Sequence, residues 1–179
     1  MARQRTLVFL DASVLVAASR SPTGGSALAM EVCRGRRFRA ALTAMVLLEA
    51  RVNIAEKFGE PELVRFYQQI AALEPEMVAP PSQERIEECI PLTTQKDAHV
   101  LAAALVCGAA YLLTLDRRHL ITDAIQSAGL PVRVMPPGNF LKEIAPDALR
   151  LGRVGGVLWG IGRGRQRTLA VAGVWLISL

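Results

Sequence analysis

Cysteine is scarce in this 179-residue chain: Cys33, Cys89 and Cys107 are odd in number and show no CxxC spacing. That excludes a disulfide framework and a cysteine-based zinc site, and it fits a reducing compartment. Histidine is scarcer still, with only His99 and His119, neither of which has a partner at metal-ligand spacing. Long apolar runs are also missing. The uncharged stretch 168–179 has twelve residues, whereas a helix needs about twenty to cross a bilayer. Acids are absent from residues 150–179, which carry five arginines, while residues 1–149 carry 16 Lys+Arg and 16 Asp+Glu. The formal net charge of +5 and the pI near 9.6 therefore belong to the last thirty residues and give no reason to expect a basic body.

What is present suffices for a core. Hydrophobic residues make up 51% of the chain and mean hydropathy is +0.30, which excludes disorder throughout. The length fits one domain with an appendage. Composition breaks near residue 150: residues 152–179 hold seven of the fourteen glycines and both tryptophans. The expected division is a domain over 1–150 and an extension over 151–179. That extension is read as packed or loosely ordered, or alternatively as a surface-anchoring or RNA-contacting segment. The opening Met1-Ala-Arg-Gln-Arg before Leu7-Val-Phe-Leu10 imitates a signal peptide, but Asp11 interrupts the apolar region. A cytoplasmic protein is expected.

Leu7–Leu10 is apolar without alternation, as in a strand covered on both faces, and it stops at Asp11. The loop Ser21–Ser26 leads into a helix ending near Gly35. A short strand at Ala41–Thr43 precedes helices at about 44–58 and 61–73, and a strand or connector follows near Met77. Residues 95–107 form an apolar helix, 111–115 a strand, 118–127 a helix, and 132–135 a last strand. Strands alternating with helices of this length imply right-handed crossovers, hence an α/β/α three-layer domain with a short parallel sheet. Such sheets place their sites at the carboxyl ends of strands.

Two apolar strands run straight into an aspartate, at Leu10-Asp11 and Leu115-Asp116. On neighbouring strands about 4.8 Å apart, both carboxylates emerge on one rim and repel unless a cation or proton lies between them. A hard divalent cation suits that arrangement. Each aspartate has a plainer role open to it as a cap of the following turn or helix. Asp97 lies in line with the apolar residues Val100, Leu101 and Ala104, and Thr94-Gln-Lys-Asp97 also resembles a capping box. Glu49 falls between Met45 and Val52, yet it aligns with Asn53 and Glu56 as a polar stripe, which reads as a solvated face. Ser13 and Thr114 stand two residues from Asp11 and Asp116 and could support a carboxylate or position water. Arg34, Arg36, Arg37 and Arg39 crowd the end of a helix, as a solvated cluster or a phosphate-contacting edge. Arg117 and Arg118 follow Asp116 closely enough to meet a substrate backbone.

These motifs resemble those of PIN domains. Leu10-Asp11-Ala-Ser13 is similar to the family's opening motif, and Leu48-Glu49 falls where it places a glutamate. Lys96-Asp97-Ala-His-Val-Leu and Tyr111-Leu-Leu-Thr-Leu-Asp116 are similar to its third and fourth acidic motifs, and Pro136–Leu141 to its closing segment. Within the family the nearest likeness is to VapC-like ribonuclease toxins. The resemblance implies a Mg²⁺- or Mn²⁺-dependent endoribonuclease in which Asp11, Glu49, Asp97 and Asp116 hold one or two ions, with Ser13 and Thr114 in support. It also implies an RNA substrate, a cognate antitoxin that blocks the acidic pocket, and a homodimer. Two rival readings are a haloacid-dehalogenase-like phosphatase, which wants a second aspartate where Ser13 stands, and a PIN-like domain that binds without cutting.

Overall fold

The computed structural model describes the backbone of residues 5–150 and of two short strands further on, with side chains described over 5–144. The strands are β1 (Thr6–Leu10), β2 (Phe38–Leu42), β3 (Glu76–Met77), β4 (Tyr111–Leu113), β5 (Arg133–Met135), β6 (Val157–Leu158) and β7 (Ala170–Val171). The first five form one parallel sheet in the order β3-β2-β1-β4-β5, and β6 and β7 form a separate antiparallel pair. Val8, Phe9 and Leu10 are all fully buried, which explains the missing alternation: β1 is central and covered on both faces.

The helices are α1 (Ala12–Arg20), α2 (Gly25–Cys33), α3 (Ala44–Lys57), α4 (Glu60–Leu73), α5 (Gln83–Cys89), α6 (Ala98–Val106), α7 (Asp123–Ser127) and α8 (Pro137–Arg150). The chain steps from β1 to β2 to β3 in one direction, then crosses back to β4 on the other side of β1. With right-handed crossovers, α1–α4 cover one face and α5–α6 the other. The packing agrees: α1 meets α2, α3 and α4, α2 meets α8, and α5 meets α6. This is the expected three-layer α/β/α fold. Strand order reverses between β1 and β4, so the crevice at their carboxyl ends is the switch point where such sheets bind ligands.

Several local expectations change. Residues 12–20 form α1, which the sequence reading left unassigned. Its apolar residues show no clean stripe because Ala12, Val14, Leu15 and Ala18 are all buried. Strand β4 ends at Leu113, two residues early, and α6 begins at Ala98, because residues 94–97 form the turn that carries Asp97. The helix expected from Arg118 begins only at Asp123, where the Thr122 hydroxyl accepts from the Ile125 amide; residues 117–120 form a turn instead. Gly108 just past α6 has φ of 70°, the left-handed conformation that ends helices. From α4, Arg65 Nε donates to the Ser19 carbonyl (2.7 Å) and Gln69 Nε2 to the Ala18 carbonyl (3.0 Å). These bonds satisfy carbonyls left open at the end of α1 and fix the helix whose other end carries Asp11.

Candidate metal centre

Asp11 stands between the end of β1 and the start of α1 and is 7% exposed. It is a helix cap, as one reading held, accepting from the Ser13 amide. It is also more than a cap. Its Oδ2 accepts from the Ser13 hydroxyl and from the Thr114 hydroxyl, the latter at 2.8 Å across the β1–β4 boundary. Each hydroxyl has its own direction fixed. Ser13 Oγ accepts from the Leu115 amide and Thr114 Oγ1 from the Asp116 amide, both at 3.0 Å. Each oxygen takes a hydrogen from the β4 end and passes its own to Asp11. All the hydrogen bonds given to the Asp11 side chain go to Oδ2, so Oδ1 keeps its lone pairs for another ligand.

Asp116 is placed by the turn after β4. Its Oδ1 accepts from the Arg118 and His119 amides (2.8 and 2.9 Å), and its Oδ2 lies 3.0 Å from His119 Nδ1. Partial burial works to raise the Asp116 carboxyl, but the bonds from the His119 ring and the His119 and Arg118 amides outweigh it and hold the pKa below the ordinary value. Asp97 reaches the same spot from the turn before α6. It caps nothing with its side chain; instead the Thr94 hydroxyl donates to its Oδ2, which lies 3.5 Å from His119 Nδ1. One ligand atom from each of Asp97, Asp116 and His119 falls within 4.8 Å of the other two. Two ligands on opposite sides of one small divalent ion stand about 4.2 Å apart, so this spread suits a single cation.

The donor chemistry fits such an ion. Among the described residues, the one basic group within ion-pair distance of Asp97 or Asp116 is the imidazole of His119. No lysine or arginine neutralises them. Glu49 lies outside this tight group. Its side chain is 29% exposed and meets Lys96 Nζ at 3.6 Å, next to Asp97 in the chain. The solvated-face reading holds for Glu56, which is exposed, but not fully for Glu49, which is half-buried while Met45 and Leu48 are 57% and 50% exposed.

His119 is the residue that sequence spacing passed over. Its separation of three from Asp116 was visible, but its approach to Asp97 depends on the turn at 117–120 and could not be counted along the chain. The arginine cluster proves remote from the acids. Arg37 and Arg39 lie at the amino end of β2, where Thr6 and Leu7 pair with Phe38 and Arg39, while Asp11 lies beyond the carboxyl end of β1. Arg34 pairs with Glu31 at 2.6 Å and Arg39 with Glu76 at 3.4 Å, and the Arg37 guanidinium lies over the Phe38 ring. Arg117 and Arg118 are exposed and flank the acids.

A family model described as the PIN domain matches residues 7–118, well over half of the chain. The chain belongs to the PIN-domain family. The match covers β1 through the turn after β4, and so every acid discussed above. Among solved structures, this PIN domain is similar to PAE2754 from Pyrobaculum aerophilum, with a TM-score of 0.55, 15% identity, and 79% of this chain and 96% of that one covered. It is also similar to VapBC2 from Rickettsia felis, solved bound to a DNA fragment from their promoter, with a TM-score of 0.55, 15% identity, and 73% and 99% covered. At that identity the likeness is one of fold. No curated protein matches the sequence.

Proposed function

We propose that the protein is a divalent-metal-dependent endoribonuclease, the toxin of a toxin–antitoxin pair resembling VapC proteins. The observation that carries this reading is the convergence of Asp97, Asp116 and His119 at the switch point, with Asp11 tied to the same turn through Thr114 and, among the described residues, no lysine or arginine within ion-pair distance of Asp97 or Asp116. A Mg²⁺ or Mn²⁺ ion held there supplies Lewis-acid chemistry, activating water for attack on phosphorus and offsetting charge on the phosphodiester oxygens. Asp97, Asp116 and the free Oδ1 of Asp11 are the oxygen donors. Ser13 and Thr114 hold Asp11 by its other oxygen, which leaves Oδ1 without a hydrogen-bond partner among the described residues, and Glu49 adds a fourth carboxylate beside Lys96. Arg117 and Arg118 contact backbone phosphates at the rim. The preference for RNA rests on the family resemblance, since attack by water uses no 2′-hydroxyl.

The antitoxin in this reading covers the acidic crevice. A homodimer is supported by the exposed apolar residues Met45, Leu48 and Val52, spaced three and four apart on α3. A cytoplasmic location agrees with three free thiols, of which Cys33 is pushed up to about 12 by burial and so is inert. No helix among the described residues is long and apolar enough to cross a membrane. Residues 1–150 are proposed as the nuclease domain; the suggested RNA-contacting or anchoring role of 151–179 lies outside the described residues, β6 and β7 apart. The test is cleavage of end-labelled RNA with Mn²⁺ and with EDTA, and a phosphatase substrate alongside. Fragments are expected only with Mn²⁺, and no phosphate release. Cleavage undiminished in EDTA, or phosphate release alone, would overturn the reading.

A further inference from the structure

We infer that His119 is a third donor to the cation site, giving it a mixed oxygen and nitrogen set that favours Mn²⁺ and later transition ions over Mg²⁺. The inference rests on the proposed reading of the carboxyl edge as a cation site, and it adds a ligand that none of the acidic motifs supplies.

Position argues for a ligand. His119 Nδ1 faces both carboxylates at once, 3.0 Å from Asp116 Oδ2 and 3.5 Å from Asp97 Oδ2. A cation close enough to bond both oxygens lies within reach of that nitrogen. The ring is brought there by its backbone, which is held on two sides: the His119 amide donates to Asp116 Oδ1 at 2.9 Å, and the His119 carbonyl accepts from the Thr93 hydroxyl at 2.6 Å. The next residue, Thr94, donates to Asp97. Two adjacent threonines therefore tie the histidine backbone and the aspartate carboxylate to one turn, and the convergence of nitrogen and oxygens is built into the chain. His99 lies outside this group, its Nδ1 2.7 Å from the Lys96 carbonyl.

Chemistry then sets the preference. Carboxylates alone suit Mg²⁺, Ca²⁺ and Mn²⁺ alike, whereas an imidazole adds affinity for transition ions and little for Mg²⁺. A plain alternative is that His119 only steadies Asp116 through a hydrogen bond. In that case its loss weakens every divalent ion equally, and no nitrogen is bonded to the metal.

The experiment uses the full chain stripped with EDTA, dialysed and reloaded with Mn²⁺, with free Mn²⁺ read by electron paramagnetic resonance and Mg²⁺ measured by competition. Pulsed resonance on the bound Mn²⁺, with ordinary and ¹⁵N-histidine protein, then reads directly bonded nitrogen. The expected results are a histidine-nitrogen coupling in the wild type, its loss in His119→Gln, and Mn²⁺ affinity falling about tenfold with Mg²⁺ affinity changed far less. Equal losses for both ions, or bound Mn²⁺ without a nitrogen coupling, would overturn the inference and leave the nuclease reading standing. Absence of saturable Mn²⁺ binding in the wild type would overturn both. A His99→Gln variant, which should keep the coupling, decides the point even if His119→Gln fails to fold; loss of the coupling in His99→Gln would overturn the inference.

Discussion

At the amino edge of the sheet, two acids each meet an arginine. Arg39 on β2 meets Glu76 on β3, and Arg133 at the start of β5 meets Glu143 on α8, which also accepts from the Tyr111 hydroxyl at 2.9 Å. The Arg133 guanidinium lies over the Tyr111 ring, and Phe38, Tyr111 and Phe140 pack edge to face around it. Both of these acids have a counter-charge within the protein. At the carboxyl edge, Asp97 and Asp116 share one histidine, Glu49 meets one lysine, and the Asp11 carboxylate is met by hydroxyls and an amide, with no basic group among the described residues within ion-pair distance of it. The difference teaches where to look for function. Paired charge at a sheet edge is structure, and surface pairs of that kind contribute little stability singly. Carboxylates brought together without cations of their own are held for something that comes from outside.

The sharpest way to break this contrast is Asp11→Asn. Its amide oxygen can take the place of Oδ2 and keep the two hydroxyl donors, which puts an NH₂, unable to bind a cation, in place of Oδ1. Mn²⁺-dependent RNA cleavage should fall by about a hundredfold or more, with a melting temperature close to wild type. Retained cleavage would remove Asp11 from the centre and leave it a cap of α1.

Thr114→Val acts on the scaffold beneath the acids. Thr114 is fully buried, and the change withdraws a donor from Asp11 and an acceptor from the Asp116 amide. An expected loss of about 1–3 kcal/mol corresponds to a fall of several degrees in melting temperature. Thr114→Ser should restore most of it.

How much of this could be read without coordinates varies with how local each feature is. The strand-end aspartates were legible because a fully covered strand has no alternation to confuse its end, and Leu10-Asp11 and Leu115-Asp116 stand out as charges closing apolar runs. The parallel three-layer fold followed from the alternation of strands and helices. Helix α1 was not legible, since Val14, Leu15 and Val16 in a helix packed on several sides show no polar stripe. Glu49 misled for a related reason. Its stripe with Asn53 and Glu56 suggests an outward face, but only Glu56 is exposed, and the apolar Met45, Leu48 and Val52 are exposed beside it. His119 depended on a tertiary turn. The arginines at 34–39 looked usable for phosphate until β2 set them at the other end of the sheet from the acids.

Their placement gives the next test. Replacing Arg117 and Arg118 together by alanine should flatten the salt dependence of RNA binding, by a slope of up to about 1.4 for two contacts on a single strand. Replacing Arg34 and Arg36 together should leave the slope unchanged. The reverse result would move the RNA path to the amino edge.

A smaller effect concerns acid. The Asp116 carboxyl lies below its ordinary value in the folded protein, so the stability it contributes is fully present above its unfolded pKa and is lost as pH falls through the lower folded value. In EDTA, Asp116→Asn should therefore melt a little below wild type at neutral pH, and the gap should narrow as pH falls below the ordinary carboxylate range. A gap that is constant with pH would show that the substitution acts through packing and not through the charge.

The central claim, that the carboxyl edge gathers a divalent cation, is tested most directly by comparing Mn²⁺ binding isotherms across the two edges. Wild type and an amino-edge variant, Glu76→Gln with Glu143→Gln, should bind Mn²⁺ saturably with the same affinity. The carboxyl-edge variant, Asp97→Asn with Asp116→Asn, should show no saturable binding while still folding. Equal binding by the two variants would contradict the account.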